Sequence, residues 1–260
     1  MNYETLVITK KDDVATVTLN RPDVHNAMDD TLMKELTRCF TTLSKDDSVA
    51  AIVLTGNGKS FCAGADLLWM KRMVAYSEEE NRKDSRLLLD MYDAIYSCPK
   101  PVIGRINGHA FGGGIGLLAV CDITVTIPET KFAFSEVKLG IIPAVISTFV
   151  ASRMTSADMR RFFITGERFD ASVAQTIGLI DLVVPAEKLD EVVESCVAQV
   201  RSSSPSAVKE VKYLIESLHT MDREKYREFT IRKISELRCS PEGQEGISAF
   251  LEKRKPTWKG

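Results

Sequence analysis

Histidine is scarce in this sequence: His25, His109 and His219 are the only three, and they are scattered. The six cysteines form no Cys-x-x-Cys pair, so nothing in the spacing points to a metal site. A chain of 260 residues is far too long to need disulfide staples, so a reduced, cytosolic setting is expected for Cys39, Cys62, Cys98, Cys121, Cys196 and Cys239. No apolar run is long enough to span a membrane. The opening stretch MNYETLVITKKDD carries acidic residues and no apolar core, so it is not expected to be a signal peptide. Basic charge is not in excess either: the formal net charge is −2, which argues against a nucleic-acid partner. What is present is apolar substance, 44% of residues, enough for one large domain or one domain with an appendage.

Residues 3–10 and 14–20 alternate and are rich in Val and Thr, which predicts two strands about a turn at Lys11–Asp13. Asn26 or Asp29 can cap a helix running to about Cys39 or Leu43, with Met28, Leu32, Leu36 and Phe40 on one face. Ala50–Leu54 and Val102–Ile106 read as buried strands, Ile123–Ile127 and Lys131–Ser135 as two more. A helical pattern covers 83–97, and helix dominates from about Ser147, interrupted at Leu182–Pro185. Strand–helix alternation predicts an α/β fold with a largely parallel sheet flanked by helices over 1–188, and a helical region over 189–260.

Two glycine-containing loops follow buried strands, Thr55-Gly-Asn-Gly-Lys-Ser-Phe-Cys-Ala-Gly-Ala-Asp-Leu and Asn107-Gly-His-Ala-Phe-Gly-Gly-Gly-Ile-Gly. The carboxyl ends of strands are where open α/β sheets hold ligands. Gly58-Lys59-Ser60 resembles the end of a phosphate-binding loop, but Val53 stands where that motif needs glycine, and no helix start follows. Glycines at Gly112–Gly114 let backbone N–H groups approach a ligand, and a second N–H from Ala63-Gly-Ala would complete an oxyanion hole. Spacing alone leaves simple tight turns as an equal alternative.

Ser60-Phe-Cys-Ala-Gly-Ala-Asp-Leu resembles the first oxyanion segment of the crotonase (enoyl-CoA hydratase/isomerase) family, and Asn107 through Gly114, running on to Cys121-Asp-Ile, resembles the second. Arg21-Pro22, His25-Asn-Ala, Phe134-Ser-Glu through Ile142-Pro143 and Gly246 through Lys255 are similar as well, so the likeness spans nearly the whole chain in the family's order. The resemblance implies a ββα spiral core with a helical C-terminal region, assembled as trimers or hexamers. It also implies an acyl-CoA thioester substrate, with no metal or nicotinamide needed, since coenzyme A belongs to the substrate. The N–H groups of Ala65 and Gly113 would form the oxyanion hole, with Ala63, Asp66 and Leu67 beside the substrate. Ala144 would sit near the catalytic water, and Phe250 and Lys253 would meet adenine and phosphate. Helical spacing puts Trp69 and Met73 on one face, which leaves a wall of the acyl pocket and plain core equally open. A non-catalytic CoA-thioester-binding or RNA-binding protein of the same fold is the alternative of another class.

Family hydratases carry two glutamates. The second maps onto Glu136, and the first onto Gly116, which has no side chain. Three outcomes are open: one base suffices, as in Δ3,Δ2-enoyl-CoA isomerisation; another residue supplies the group; or the substrate brings a carboxylate for which Gly116 makes room. Ala65 through Asn81 is similar to the bacterial methylglutaconyl-CoA hydratase group, whose branched substrates carry a distal carboxylate, which favours the third. His109 is expected to pack or bond to backbone rather than to catalyse, and Cys62 to be a small packed residue.

Overall fold

The computed structural model describes residues 2–258, apart from the side chain of His219. The chain opens with β1 (Leu6–Lys11) and β2 (Val14–Leu19), an antiparallel hairpin turned by Asp12 at φ 53, a conformation that a short polar side chain tolerates. Helix α1 (Asp30–Leu43) follows, capped by the Asp29 carboxylate on the Leu32 N–H. Next come β3 (Ala51–Gly56), β4 (Ser60–Cys62), α2 (Leu67–Met73) and α3 (Glu78–Tyr96). The second repeat is β5 (Val102–Ile106), β6 (His109–Phe111) and α4 (Gly113–Ala119), and the third is β7 (Ile123–Thr126), β8 (Lys131–Ala133), α5 (Ala144–Val150) and α6 (Ser156–Thr165). The short pieces β9 (Phe169–Asp170), α7 (Ala171–Thr176) and β10 (Leu182–Val183) lead to helices α8 (Leu189–Arg201), α9 (Pro205–Thr220), α10 (Arg223–Cys239) and α11 (Pro241–Leu251).

Two sheets result. One runs β1-β2-β3-β5-β7-β10, parallel from β2 onward, and the other runs β4-β6-β8-β9. Each repeat places one strand in the first sheet, the next in the second, and then turns into helix, which is a ββα spiral. Strand β3 is buried along its whole length, as a central parallel strand must be. The main core lies between α1, α3, α4, α5 and the sheets, and a smaller one packs Val53, Ile103 and Val125 under Leu189, Val193 and Val197 of α8.

Of the second sheet only β8 falls within an expected strand, Lys131–Ser135; β4, β6 and β9, two or three residues long, are not expected from the sequence pattern. Helix α3 starts five residues earlier than its apolar pattern: Ser77 and Glu80 form a reciprocal capping box that begins it on the solvated side. Met28, expected on a face of α1, is outside that helix and forms an isolated parallel bridge with Ala65. Lys212 of α9 bonds Asp122 Oδ2 at 2.7 Å and the Lys100 carbonyl at 3.3 Å, fastening the helical region to the core. Helices α9–α11 leave Val211, Ile215, Leu218, Ile231, Phe250 and Leu251 exposed.

Candidate active site

Arg21 organises the first segment. Its guanidinium bonds the Ala27 carbonyl and lies 2.9 Å from both Asp29 Oδ2 and Asp66 Oδ2. Asp29 caps α1, and Asp66 caps α2 by accepting from Leu68 N (2.7 Å) and Trp69 N (3.3 Å). The wholly buried Asn26 accepts from Arg21 N and donates to the carbonyls of Asn57 and Ser60, so it staples this turn to the loop after β3.

That frame fixes Ala65. The Met28 N–H donates to the Gly64 carbonyl (2.7 Å), and the Asp66 N–H donates to the Met28 carbonyl (2.9 Å). Successive N–H groups of extended chain point to opposite edges, so the Ala65 N–H is turned away from Met28. The second segment runs close by: a Cβ on Gly64 would lie 2.8 Å from the Phe111 carbonyl oxygen and 3.8 Å from the Gly113 nitrogen. Gly113 opens α4, so its N–H has no acceptor within the helix. The two expected donors therefore sit on adjoining segments.

Glu136 stands beside them. Strands β6 and β8 pair in parallel, and the Gly112 N–H donates to the Ala133 carbonyl (2.9 Å), so the chain leaving β8 passes directly over Gly112. Glu136 lies in the 3-10 turn Ser135–Leu139 that follows, and a Cβ on Gly112 would be 3.2 Å from its Oε1. Burial pushes its carboxyl above the ordinary 4.5. Its Oε2 is buried with no hydrogen-bond partner among the described residues. A carboxyl of this kind can take up and return a proton, while the two backbone donors can receive negative charge on a thioester oxygen.

Two expectations, those for Gly116 and Ala144, need correction. Gly116 makes no room for a substrate group: a Cβ there would lie 2.5 Å from Ile146 Cγ2, 2.6 Å from Tyr92 Cζ and 2.7 Å from the Tyr92 hydroxyl. The Ala144 N–H is already committed to the Ile142 carbonyl (2.7 Å) through Pro143, whose φ −74 and ψ 56 make an inverse γ-turn. Asp66 is buried in capping and in its ion pair with Arg21, and burial's upward pull on its pKa is outweighed by those bonds. Trp69 is buried in the core and donates to Asp84 Oδ1 at 3.2 Å, holding α2 on α3. Leu67, at the start of α2, is 81% exposed beside Leu68. Ala63 donates its N–H to the His25 carbonyl (3.0 Å).

Phe250 is 82% exposed and Lys253 follows α11 at φ 54. Beyond them the tail folds back, packs Trp258 over Gly246, and donates from the Trp258 indole to the Ser202 carbonyl (3.0 Å). Trp258 also lines a cavity with Asp13, Ala50 and Pro101, which immediately precede β2, β3 and β5. The tail at Trp258 thus lies toward the amino ends of these strands.

His109 Nδ1 accepts from the Lys131 N–H (3.1 Å), a backbone bond as expected. Cys62 is buried, and burial pushes its thiol up to about 12. The residue that sequence reasoning missed is Tyr92, fully buried in α3 with its hydroxyl donating to the Gly113 carbonyl at 2.7 Å. Its only signal was an aromatic on the inner face of α3, which is indistinguishable from ordinary core.

The model of the enoyl-CoA hydratase/isomerase family matches residues 9–260. A short-chain-enoyl-CoA hydratase of Clostridium acetobutylicum is 32% identical over 257 residues, covering 98% of this chain and 97% of its own. Among solved structures, an enoyl-CoA hydratase from Shewanella pealeana has a TM-score of 0.94 at 36% identity, covering 98% of this chain and 96% of its own. AtuE from Pseudomonas aeruginosa has a TM-score of 0.95 at 32% identity, covering 98% of this chain and 99% of its own. With the spiral fold, both glycine segments and a match across almost its entire length, the chain belongs to the enoyl-CoA hydratase/isomerase family.

Proposed function

We propose that the protein hydrates a 2-enoyl-CoA, with Glu136 as the carboxyl that moves the proton and the N–H groups of Ala65 and Gly113 as the oxyanion hole. The observation that carries this is the half-buried Glu136 carboxyl directly over Gly112, one residue before Gly113, with its Oε2 buried and unpartnered among the described residues. Ionised Glu136 takes a proton from water as the hydroxyl bonds to Cβ. The electron pair of the double bond moves toward the thioester, whose oxygen takes the charge. Protonated Glu136 then returns its proton to Cα, so that one water has been added. Coenzyme A is part of the substrate throughout.

The acyl group we propose is branched and carboxylated, of the 3-methylglutaconyl type. Support comes from the likeness of Ala65–Asn81 to hydratases of such thioesters. Its carboxylate must be met elsewhere than over Gly116, where Tyr92 and Ile146 fill the space. A homotrimer or homohexamer accords with the apolar side chains that α9–α11 leave exposed. The filled space also favours a second reading, Δ3,Δ2-isomerisation, which needs a single base to carry a proton from one carbon to another.

Assaying 3-methylglutaconyl-, crotonyl- and 3-enoyl-CoA by the absorbance of the conjugated thioester tests both. We expect loss of absorbance, fastest with 3-methylglutaconyl-CoA. Equal kcat/KM on crotonyl-CoA removes the carboxylated substrate, and turnover of the 3-enoyl-CoA alone removes hydration.

A further inference from the structure

We infer that Tyr92 is a positioning residue for the Gly113 donor, and that Gly116 is bare so that Tyr92 can reach it. The inference rests on the reading of Gly113 N–H as half of the oxyanion hole.

The side chain belongs to a rigid element. Tyr92 lies within the 19-residue helix α3, its ring 5.5 Å from that of Phe149 on α5. A wholly buried hydroxyl is costly unless it is hydrogen-bonded, and this one is bonded to a single carbonyl, that of Gly113, at 2.7 Å. Burial raises the phenol well above its ordinary 10.0, so the group remains a donor at every working pH. Met28 closes the other side: its Sδ is 4.0 Å from the Tyr92 hydroxyl, and its Cε occupies the place a Gly113 Cβ would take. Gly113 is therefore held between one hydrogen bond and one methyl group. If the residue is displaced along that bond, its own N–H is displaced as well.

The space over Gly116 supplies the second half. Tyr92 Cζ and hydroxyl would be 2.6 and 2.7 Å from any Cβ at 116, and Ile146 Cγ2 2.5 Å, all inside the range that real Cβ atoms avoid. A side chain at 116 and a phenol bonded to Gly113 exclude each other. The bare position is thus the condition for the Tyr92 bond and not a space awaiting substrate.

The test compares wild type, Tyr92→Phe and Gly116→Ala. The first deletes one oxygen from a ring that stays packed, and the second displaces the same hydroxyl. Two quantities are read: kcat and KM on the enoyl-CoA that wild type turns over fastest, and the absorption of bound 4-dimethylaminocinnamoyl-CoA, which moves to the red when hydrogen bonds polarise its carbonyl. Misplaced donors typically cost about 10- to 100-fold in turnover. We expect both variants to lose kcat on that scale, to hold KM within about twofold because binding contacts outside the hole are untouched, and to show a smaller red shift. A Tyr92→Phe variant with wild-type kcat, or with lowered kcat but an undiminished shift, overturns the inference. If Tyr92→Phe does not fold, an undiminished shift in Gly116→Ala overturns it. A wild-type protein that binds the chromophore without any red shift overturns instead the oxyanion reading beneath it.

Discussion

Arg21 Nη2 lies 2.9 Å from Asp66 Oδ2, joining residues 45 apart in sequence, and the same guanidinium nitrogen is 2.9 Å from Asp29. One cation thereby locks the starts of two helices, α1 and α2, with Ala65 immediately before the second cap. The segment that carries Ala65, the proposed first donor, is thereby held by ion pairs.

Replacing Asp66 with Ala removes a helix cap and one partner of a partly buried arginine, together worth about 2–3 kcal/mol. Asp66→Asn retains a capping acceptor and loses only the charge, so it should fall between wild type and Asp66→Ala. In a chain of this size each kcal/mol moves Tm by roughly 2–4 °C. Thermal unfolding at fixed protein concentration reads the order, and three coincident melts sink the capping account. The Asp66 pKa is lowered in the folded state, so its contribution is present above the ordinary 3.8 and is lost as pH falls through the folded value.

Two glycines with positive φ should respond differently to alanine. Gly140, at φ +75, has nothing within 4 Å of a new Cβ, whereas Gly64, at φ +92, would drive one to 2.8 Å from the Phe111 carbonyl oxygen. Gly140→Ala bears only the left-handed strain, about 1–2 kcal/mol, and should retain most of its turnover. Gly64→Ala adds a collision with backbone that cannot swing away, so urea melts should place it well below Gly140→Ala. Its kcat should fall even under conditions where it is fully folded, because the Phe111–Gly113 segment is pushed aside. Equal losses in the two variants would show that the close approach does not matter.

Glu136 works as a base only when ionised, and burial raises its pKa above 4.5. The acid limb of kcat/KM should therefore sit above the ordinary carboxylate range and vanish in Glu136→Gln, whose kcat should fall by about 10²–10⁴. Stability runs the other way. A carboxyl whose folded pKa is raised stabilises below its unfolded pKa, and that contribution is lost as pH rises through the folded value. Above its folded pKa the half-buried Glu136 carboxylate is a liability, so Glu136→Gln should melt above wild type there and lose that advantage in acid. A variant equally active and equally stable at all pH values would contradict both halves.

Legibility in the sequence tracked locality. Val102–Ile106 forms the expected strand because Val102, Ile103 and Ile106, all buried, lie between clear breaks. Both glycine segments, and Glu136 beyond them, were legible because they are contiguous motifs. Strands such as Phe169–Asp170 were not, since two residues carry no periodicity. The occupant of the space over Gly116 was also hidden: Tyr92, near the end of α3, is separated from it by the two strands β5 and β6, and only the packing of α3 against α4 and α5 brings them together. Ala144 failed for a similar reason, because Pro143 folds its N–H back onto Ile142.

Met28 reaches both halves of the site, its main chain clasping Gly64 and Asp66 while its methyl group lies under Gly113. Since the two proposed donors are main-chain N–H groups, only proline can delete either of them; any other single substitution can only move them. Evolution can then exchange the carboxyls and the walls around the proposed hole, as the bare Gly116 illustrates, without dismantling the pair of donors. New substrate preferences would arise by redecorating the surroundings of a fixed pair of donors rather than by rebuilding the pair.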